Sequence, residues 1–442
     1  FWPIFSSGSC FKYVLAEETC QLFSATMLQR PMGTGVTLKI ARLARGPQPA
    51  QTAHMLAGRH VSAFAHVPQG PPDKIFGLVE KFKSDENRSK VNLVVGAYRD
   101  NDGKPVVLPS VRAAERKIFE GHMDNEYASI RGIASFIKNG LNLQFGENSP
   151  PIEEGRVAAV QALSGTGSLR LVAELIARQW DSSSEKPTVH FSDPTWGNHQ
   201  NIFQQAGLKT ASHRYLDYTT NLVDIDGMIA DMKKMAPKDV ILLHAVAHNP
   251  TGADPTEDGW RRIMEVVQER ELFPIFDNAY QGYASGDCTK DAYSVQTFAK
   301  AGIPFALTQS FAKNFGLYGQ RTGIASVICD TPKEAKAVES QLKILARALY
   351  SNPPVHGARI VDTILGDQEL RAQWLQDVKG MATRIEKMRT LLKEKLAEAG
   401  SKHEWGHITS QIGMFAFTGL TPEEVSEGMT GKHAIYMTPD GR

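Results

Sequence analysis

Apolar residues at Leu169, Val172, Ala173, Ile176 and Trp180 recur at intervals of three and four, so one helical face is apolar and a helix is predicted over residues 165–180. It opens directly after the small-residue run Ser164-Gly165-Thr166-Gly167. Short runs rich in apolar and β-branched residues at 188–191, 240–245, 272–276, 305–309 and 324–328 predict strands. Between the second and third lies Asp254-Pro255-Thr256-Glu257, which reads as an N-cap acid, a proline at the first helical position and a glutamate three on, opening a helix to about Arg270. Strands separated by helices of this length form a mostly parallel sheet, an α/β core. From about Thr331 the pattern turns helix-rich, with helices predicted at 333–348, 355–365 and 368–399 and a strand-like run at 413–417. This predicts a second, smaller domain, with a ligand site between the two.

The first 72 residues differ in composition. Glu17 and Glu18 are their only acids, while Lys12, Arg30, Lys39, Arg42, Arg45 and Arg59 are basic. Val36, Ile40 and Leu43 share one helical face with Lys39 and Arg42 between them, the pattern of an organellar transit peptide. Residues 1–63 are therefore expected to be a leader, and mitochondrial matrix the destination. The expected divisions that follow are 64–110, an arm and small-domain segment; 111–365, the large domain; and 366–442, the small domain.

Over the full 442 residues, 49 Lys+Arg balance 48 Asp+Glu, leaving a net charge of +1. That balance supplies no global field for nucleic acid or an anionic membrane. No run of about 18 apolar residues is present, which argues against a membrane-spanning helix. Cys10, Cys20, Cys288 and Cys329 make neither a disulfide framework nor a metal-ligand pattern, so no metal is expected.

The chemistry-bearing runs are Asp277-Asn278-Ala279-Tyr280-Gln281-Gly282 after the 272–276 strand, and Ser310-Phe311-Ala312-Lys313-Asn314-Phe315-Gly316 with Arg321 after the 305–309 strand. They occur with His248-Asn249-Pro250-Thr251-Gly252, Pro194-Thr195-Trp196-Gly197-Asn198-His199 and Val95-Gly96-Ala97-Tyr98-Arg99. Together, and in this order from about Phe64 to Arg442, these runs resemble the aspartate aminotransferases. The resemblance implies the type I fold of pyridoxal-phosphate enzymes, with a mostly parallel seven-stranded sheet in a large domain plus a smaller α/β domain.

Pyridoxal phosphate needs its aldehyde bonded to an amine, its ring nitrogen kept protonated and its phosphate anchored. Lys313 resembles the lysine that bonds the aldehyde; on a short turn after a buried strand it can be desolvated, which lowers its pKa toward a nucleophilic amine. Asp277 resembles the carboxylate that pairs with the ring nitrogen, and His199 its orienting partner. Tyr280 and Asn249 resemble the donors to the ring oxygen, and Trp196 the aromatic that stacks on the ring. Ser164, Gly165 and Thr166 at a helix start supply phosphate donors, with Arg321 as a bidentate clamp and Ser310 as another hydroxyl.

Tyr127, in Glu126-Tyr127-Ala128-Ser129-Ile130-Arg131-Gly132, resembles the tyrosine that reaches the phosphate from the neighbouring subunit; the family usually has Pro-Ile where Ser129-Ile130 stands. Arg442 resembles the arginine that binds the α-carboxylate, over which Gly96 lets the backbone close. Arg347 resembles the arginine that binds the distal carboxylate across a dimer interface. Two such forks select a dicarboxylate, because an unpaired buried guanidinium penalises neutral side chains. The expectation is aspartate:2-oxoglutarate transamination with ping-pong kinetics, on small amino and 2-oxo acids, in a homodimer. An aromatic-amino-acid aminotransferase shares the cofactor residues, and an inactive fragment or dimeric scaffold is a third reading. In the family a further strand and helix follow the arginine that Arg442 resembles, so the small domain is expected to be truncated.

Overall fold

The computed structural model describes residues 62–71, 74–181 and 185–442. The chain divides into two compact units, Phe1–Pro71 and Pro72–Arg442. The transit-peptide face at Val36, Ile40 and Leu43 lies outside the described residues. In the first unit, residues 62–71 are exposed and hold a turn in which Ala65 N–H donates to the Ser62 carbonyl at 3.0 Å.

The second unit is built on a seven-stranded sheet. In chain order its strands are β1 (Val157–Leu163), β2 (Thr188–Asp193), β3 (Lys209–Arg214), β4 (Val240–His244), β5 (Phe273–Asn278), β6 (Phe305–Ser310) and β7 (Thr322–Ile328). The spatial order is β1-β7-β6-β5-β4-β2-β3, and only β7 runs against its neighbours. The mostly parallel sheet expected from the sequence is present. Both faces are covered, which is why the strands read as apolar runs rather than as alternating patterns. Phe276, Phe305 and Leu307 pack into one core, while Ile275, Ala306, Leu242 and Leu169 pack into the other, as successive side chains point to opposite faces.

Five of the seven strands lie where the apolar runs placed them. β1 reads Val-Ala-Ala-Val-Gln-Ala-Leu, with small residues of low β preference, and becomes a strand because it is buried beside β7. β3 reads Lys-Thr-Ala-Ser-His-Arg and sits at the sheet edge, where polar side chains are tolerated. The predicted helices are observed at Ser164–Gln179, Glu257–Glu269, Pro332–Tyr350, His356–Gly366 and Gln368–Glu398.

Two local expectations are corrected. The cap of Glu257–Glu269 is Thr256, whose side chain accepts from Gly259 N–H at 3.1 Å, and Pro255 precedes the helix. Asp254 accepts instead from the backbone N–H groups of Ala247 at 2.6 Å and His248 at 2.8 Å, two donors of a tight loop in which Ala247 has φ +52°. The run 413–417 is not a strand. Its carbonyls at Gly413 and Phe415 are taken by the Arg389 guanidinium, and Phe417 N–H by the Gln411 side chain, so no ladder forms.

Candidate active site

Register across the sheet assembles the first part of the site. His244 on β4 stands opposite Asp277 on β5, which stands opposite Thr308 on β6. All three therefore reach the carboxyl ends of parallel strands, where α/β sheets bind ligands. Asp277 is 7% exposed; one carboxylate oxygen lies 3.2 Å from His199 Nε2 and the other accepts from Thr308 Oγ1 at 3.3 Å. Burial pushes its pKa up, but the His199 hydrogen bond and the neighbouring His199 and His244 rings outweigh this, so the carboxyl titrates below its ordinary value. His199, fully buried, is oriented from behind by Thr195 Oγ1 at 2.9 Å from Nδ1 and by a stacked Phe191, and Trp196 packs edge-on against it at 5.2 Å.

Lys313 follows β6 on a short loop. The loop is locked by Gly316 N–H and Tyr283 O–H donating to the Lys313 carbonyl at 2.8 and 3.1 Å, by Trp374 Nε1–H donating to the Asn314 carbonyl at 2.9 Å, and by Phe315 stacked on Trp374 at 4.4 Å. The amine that this loop presents lies 5.8 Å from the Tyr280 ring centre and 5.4 Å from that of Tyr318. Burial, with the Arg321 charge adding to it and Asp277 opposing, brings the Lys313 pKa down to about 8. Tyr280 is buried, and that burial, reinforced by Asp277, raises its phenolic pKa well above the ordinary value.

The adjoining end of the site is arranged for an anion. Helix Ser164–Gln179 starts with no side-chain cap and no acidic residue in its first turn, which holds Ser164, Gly165 and Thr166. Its first N–H groups are thus left for a ligand. A Cβ at Gly165 would stand in ordinary contact, 3.4 Å from Ser310 Cβ and 3.9 Å from an Asp277 oxygen, and would fill space beside the helix start that glycine leaves free. Ser164 Oγ and Ser310 Oγ share a hydrogen bond of 2.8 Å. Arg321 donates to the Tyr318 carbonyl at 3.0 Å and has no carboxylate partner among the described residues.

At the opposite end Arg442 donates from Nη1 to Asn249 Oδ1 and from Nε to Thr438 Oγ1 at 3.3 Å, and lies 3.3 Å from an Asp440 oxygen. Its guanidinium sits 5.3 Å from the Phe415 ring centre. A Cβ at Gly96 would come within 3.2 Å of the same ring. Phe415 also meets Tyr280 edge-on at 5.5 Å. Two predicted residues are not brought to this cleft within the chain. Tyr127 is 82% exposed, and Arg347, in the last turn of Pro332–Tyr350, is exposed and donates to Ser351 Oγ.

Sequence reasoning passed over Thr308, His244, Tyr318 and Phe415. The first two become visible only through strand register, and the last through a segment with no regular pattern.

The chain's residues 88–442 match the family model described as aminotransferase class I and II. It is 50% identical over 385 residues to the mitochondrial aspartate aminotransferase of Xenopus tropicalis, covering 87% of this chain and 89% of that protein. It is 51% identical over 384 residues to the mitochondrial enzyme of the same name from Gallus gallus, covering 87% and 90%. Among solved structures, the aspartate aminotransferase of Saccharomyces cerevisiae cytoplasm matches with a TM-score of 0.83 and 40% identity, over 86% of this chain and 93% of that one. The Burkholderia pseudomallei aromatic-amino-acid aminotransferase, covalently bound to pyridoxal phosphate, also matches with a TM-score of 0.83 and 40% identity, over 86% and 94%. The chain belongs to the class I and II aminotransferases.

Proposed function

We propose that Lys313, Asp277 and Tyr280 carry the chemistry of this site, with the neighbouring residues holding cofactor and substrate. The activity is aspartate:2-oxoglutarate transamination, giving oxaloacetate and glutamate, and the cofactor is pyridoxal 5′-phosphate. The residues present suit that cofactor. An uncapped helix start with Gly165, the Ser164 and Ser310 hydroxyls and an Arg321 without a carboxylate partner among the described residues suit a phosphate dianion. A buried carboxylate with lowered pKa suits a protonated ring nitrogen, and a lysine of lowered pKa suits an aldehyde.

When bound, the cofactor supplies an aldehyde for the Lys313 amine and a conjugated ring that accepts the electron pair left at the substrate's Cα. The protein's part is positioning and proton transfer. Asp277, oriented by His199 and Thr308, stays ionised and keeps a proton on the ring nitrogen. Tyr280 keeps its phenolic proton because burial disfavours the phenolate, so with the Asn249 amide it is a donor to the ring oxygen. Trp196, packed edge-on against His199, would cover one face of the ring. Thr166 adds its hydroxyl and backbone N–H to the phosphate end. Lys313, whose lowered pKa favours the neutral amine, would be the base that moves the Cα proton.

Arg442 binds the α-carboxylate beside Gly96 and Asn249. Arg347 binds the distal carboxylate and Tyr127 the phosphate, each from a second copy of the chain. The exposure of both residues, together with exposed Phe119, Met123, Ile344 and Leu349, supports a homodimer with shared sites. The parallel pairing of Val91–Asn92 with Ile435–Tyr436 supports assigning the segment around residues 91–92 to the same smaller unit as 366–442. The relatives named mitochondrial support a mitochondrial matrix location.

The observation that carries the assignment of roles is the half-buried Lys313, whose amine faces the Tyr280 and Tyr318 rings and feels the charges of Arg321 and Asp277. Its test is the near-ultraviolet and visible spectrum of the cofactor-loaded protein before and after aspartate alone. Aspartate is expected to convert the aldehyde-derived band to that of the amine form, and Lys313→Ala to show no conversion. A Lys313→Ala protein that still turns over would overturn the assignment.

A further inference from the structure

Helix Gln368–Glu398 carries one arginine into the interior. Arg389 is 8% exposed, and among the described residues it forms no ion pair. Burial draws its pKa down to about 10, with no carboxylate offsetting the loss of hydration. An arginine is costly to keep in such a place, and its hydrogen bonds show what it does there. Nη1 donates to the Ile408 carbonyl at 2.8 Å; Nη2 donates to the Gly413 carbonyl at 2.9 Å and to that of Phe415. Two of the acceptors belong to the 413–417 run that failed to form a strand, and the third, Ile408, to the short helix Gly406–Ser410 just before it. The planar fork of one guanidinium thus stands in for a β-ladder, tying three carbonyls to a rigid helix.

The other side of this segment is pressed against the loop that carries Asn249. Ile412 N–H donates to the Gly252 carbonyl at 2.6 Å. Gly252 has φ +65°, and a Cβ there would stand 2.5 Å from the Phe415 carbonyl oxygen, the oxygen that Arg389 holds. The Phe415 backbone is therefore clamped between Arg389 and the Gly252 turn. Its ring lies against Gly96, Tyr280 and Arg442 at once. Among the described residues Arg389 makes no hydrogen bond to any of those three, so its influence on them passes through Phe415.

We propose that Arg389 is a positioning residue for substrate: by fixing the carbonyls of 408–415 it sets the Phe415 ring, and through it the Arg442 guanidinium and the approach of Gly96. The inference rests on Arg442 being the α-carboxylate fork. The phosphate and ring-nitrogen partners lie on other elements, and of the cofactor's proposed contacts only the ring-oxygen donors Tyr280 and Asn249 adjoin this segment, so the effect falls chiefly on substrate.

The test uses the cofactor-loaded enzyme with Arg389→Lys, Arg389→Met, Phe415→Leu, the Arg389→Lys/Phe415→Leu double variant and Arg442→Lys. Arg389→Lys keeps the charge but loses the fork, and is expected to raise KM for aspartate and 2-oxoglutarate about tenfold with kcat within about threefold. Arg389→Met, with no donor, is expected to raise KM on the order of 100-fold. Cofactor affinity stays near the wild-type value in both, because the phosphate and ring-nitrogen partners are undisturbed. Phe415→Leu reproduces the KM effect, and the double variant is no worse than Phe415→Leu alone, because both changes act on the same ring. An unchanged KM in Arg389→Lys, additive effects in the double variant, or KM and cofactor affinity lost in parallel would each overturn the proposal. Arg442→Lys separates the two failures: if it leaves KM unchanged, the reading of Arg442 itself is wrong, whereas a raised KM there with none in Arg389→Lys condemns the Arg389 role alone.

Discussion

Replacing Lys313 by methionine removes the reacting amine and keeps an unbranched side chain of similar length. Activity is expected to vanish while the cofactor-free protein becomes more stable. The folded state holds the Lys313 pKa at about 8 against an ordinary 10.5, which corresponds to about 3 kcal/mol of disfavoured charge. Below pH 8 folded and unfolded chains both carry the proton, and the folded chain bears the whole cost. Between pH 8 and 10.5 the folded chain has released the proton while the unfolded chain retains it, so wild-type stability climbs with pH through that window. Above it the cost is gone. For the unit Pro72–Arg442, an unfolding entropy of about 2.1 cal/mol/K per residue converts 3 kcal/mol into a rise in Tm of about 4 °C at pH 7. Scanning calorimetry of both cofactor-free proteins across this range should show the gap shrink as pH rises. A Lys313→Met protein that melts at or below wild type at pH 7, or a gap independent of pH, would refute desolvation as the cause of the lowered pKa.

Two further changes test other parts of the site. Arg347→Ala should raise KM for aspartate on the order of 100-fold while leaving kcat/KM for phenylalanine within about threefold, since only the distal carboxylate loses its fork; equal losses on both substrates would remove Arg347 from substrate selection. Gly252→Ala should destabilise the protein by about 2–4 kcal/mol, because φ is +65° and the added Cβ would meet the Phe415 carbonyl at 2.5 Å; unchanged urea unfolding would show that the 408–415 segment yields freely.

Much of the site could be read along the chain because its residues cluster in short, strongly constrained runs. Asp277 and Tyr280 come three apart at the end of one strand, and Ser310 ends the next, with Lys313 and Arg321 following it. Strand ends and helix starts are local properties, set by apolar runs and by small residues such as Ser164-Gly165-Thr166, so composition along the chain suffices to place them. The helix from Glu257 was equally legible, though its cap was not. Asp254 and Thr256 are both good caps, and only the buried N–H groups of Ala247 and His248 decided that the acid served the loop.

What depended on tertiary structure is whatever joins residues distant in sequence. Register alone set His244, Asp277 and Thr308 side by side on three strands, and no local signal carries a register. The strands Val157–Leu163 and Lys209–Arg214 owe their state to neighbours rather than to their own weak preference. The 413–417 segment reads as a strand in isolation, and loses that state because a guanidinium from a separate helix takes its carbonyls. Local sequence supplied the reacting groups, and the long-range hydrogen bonds and packing that close only in the folded chain supplied their distances.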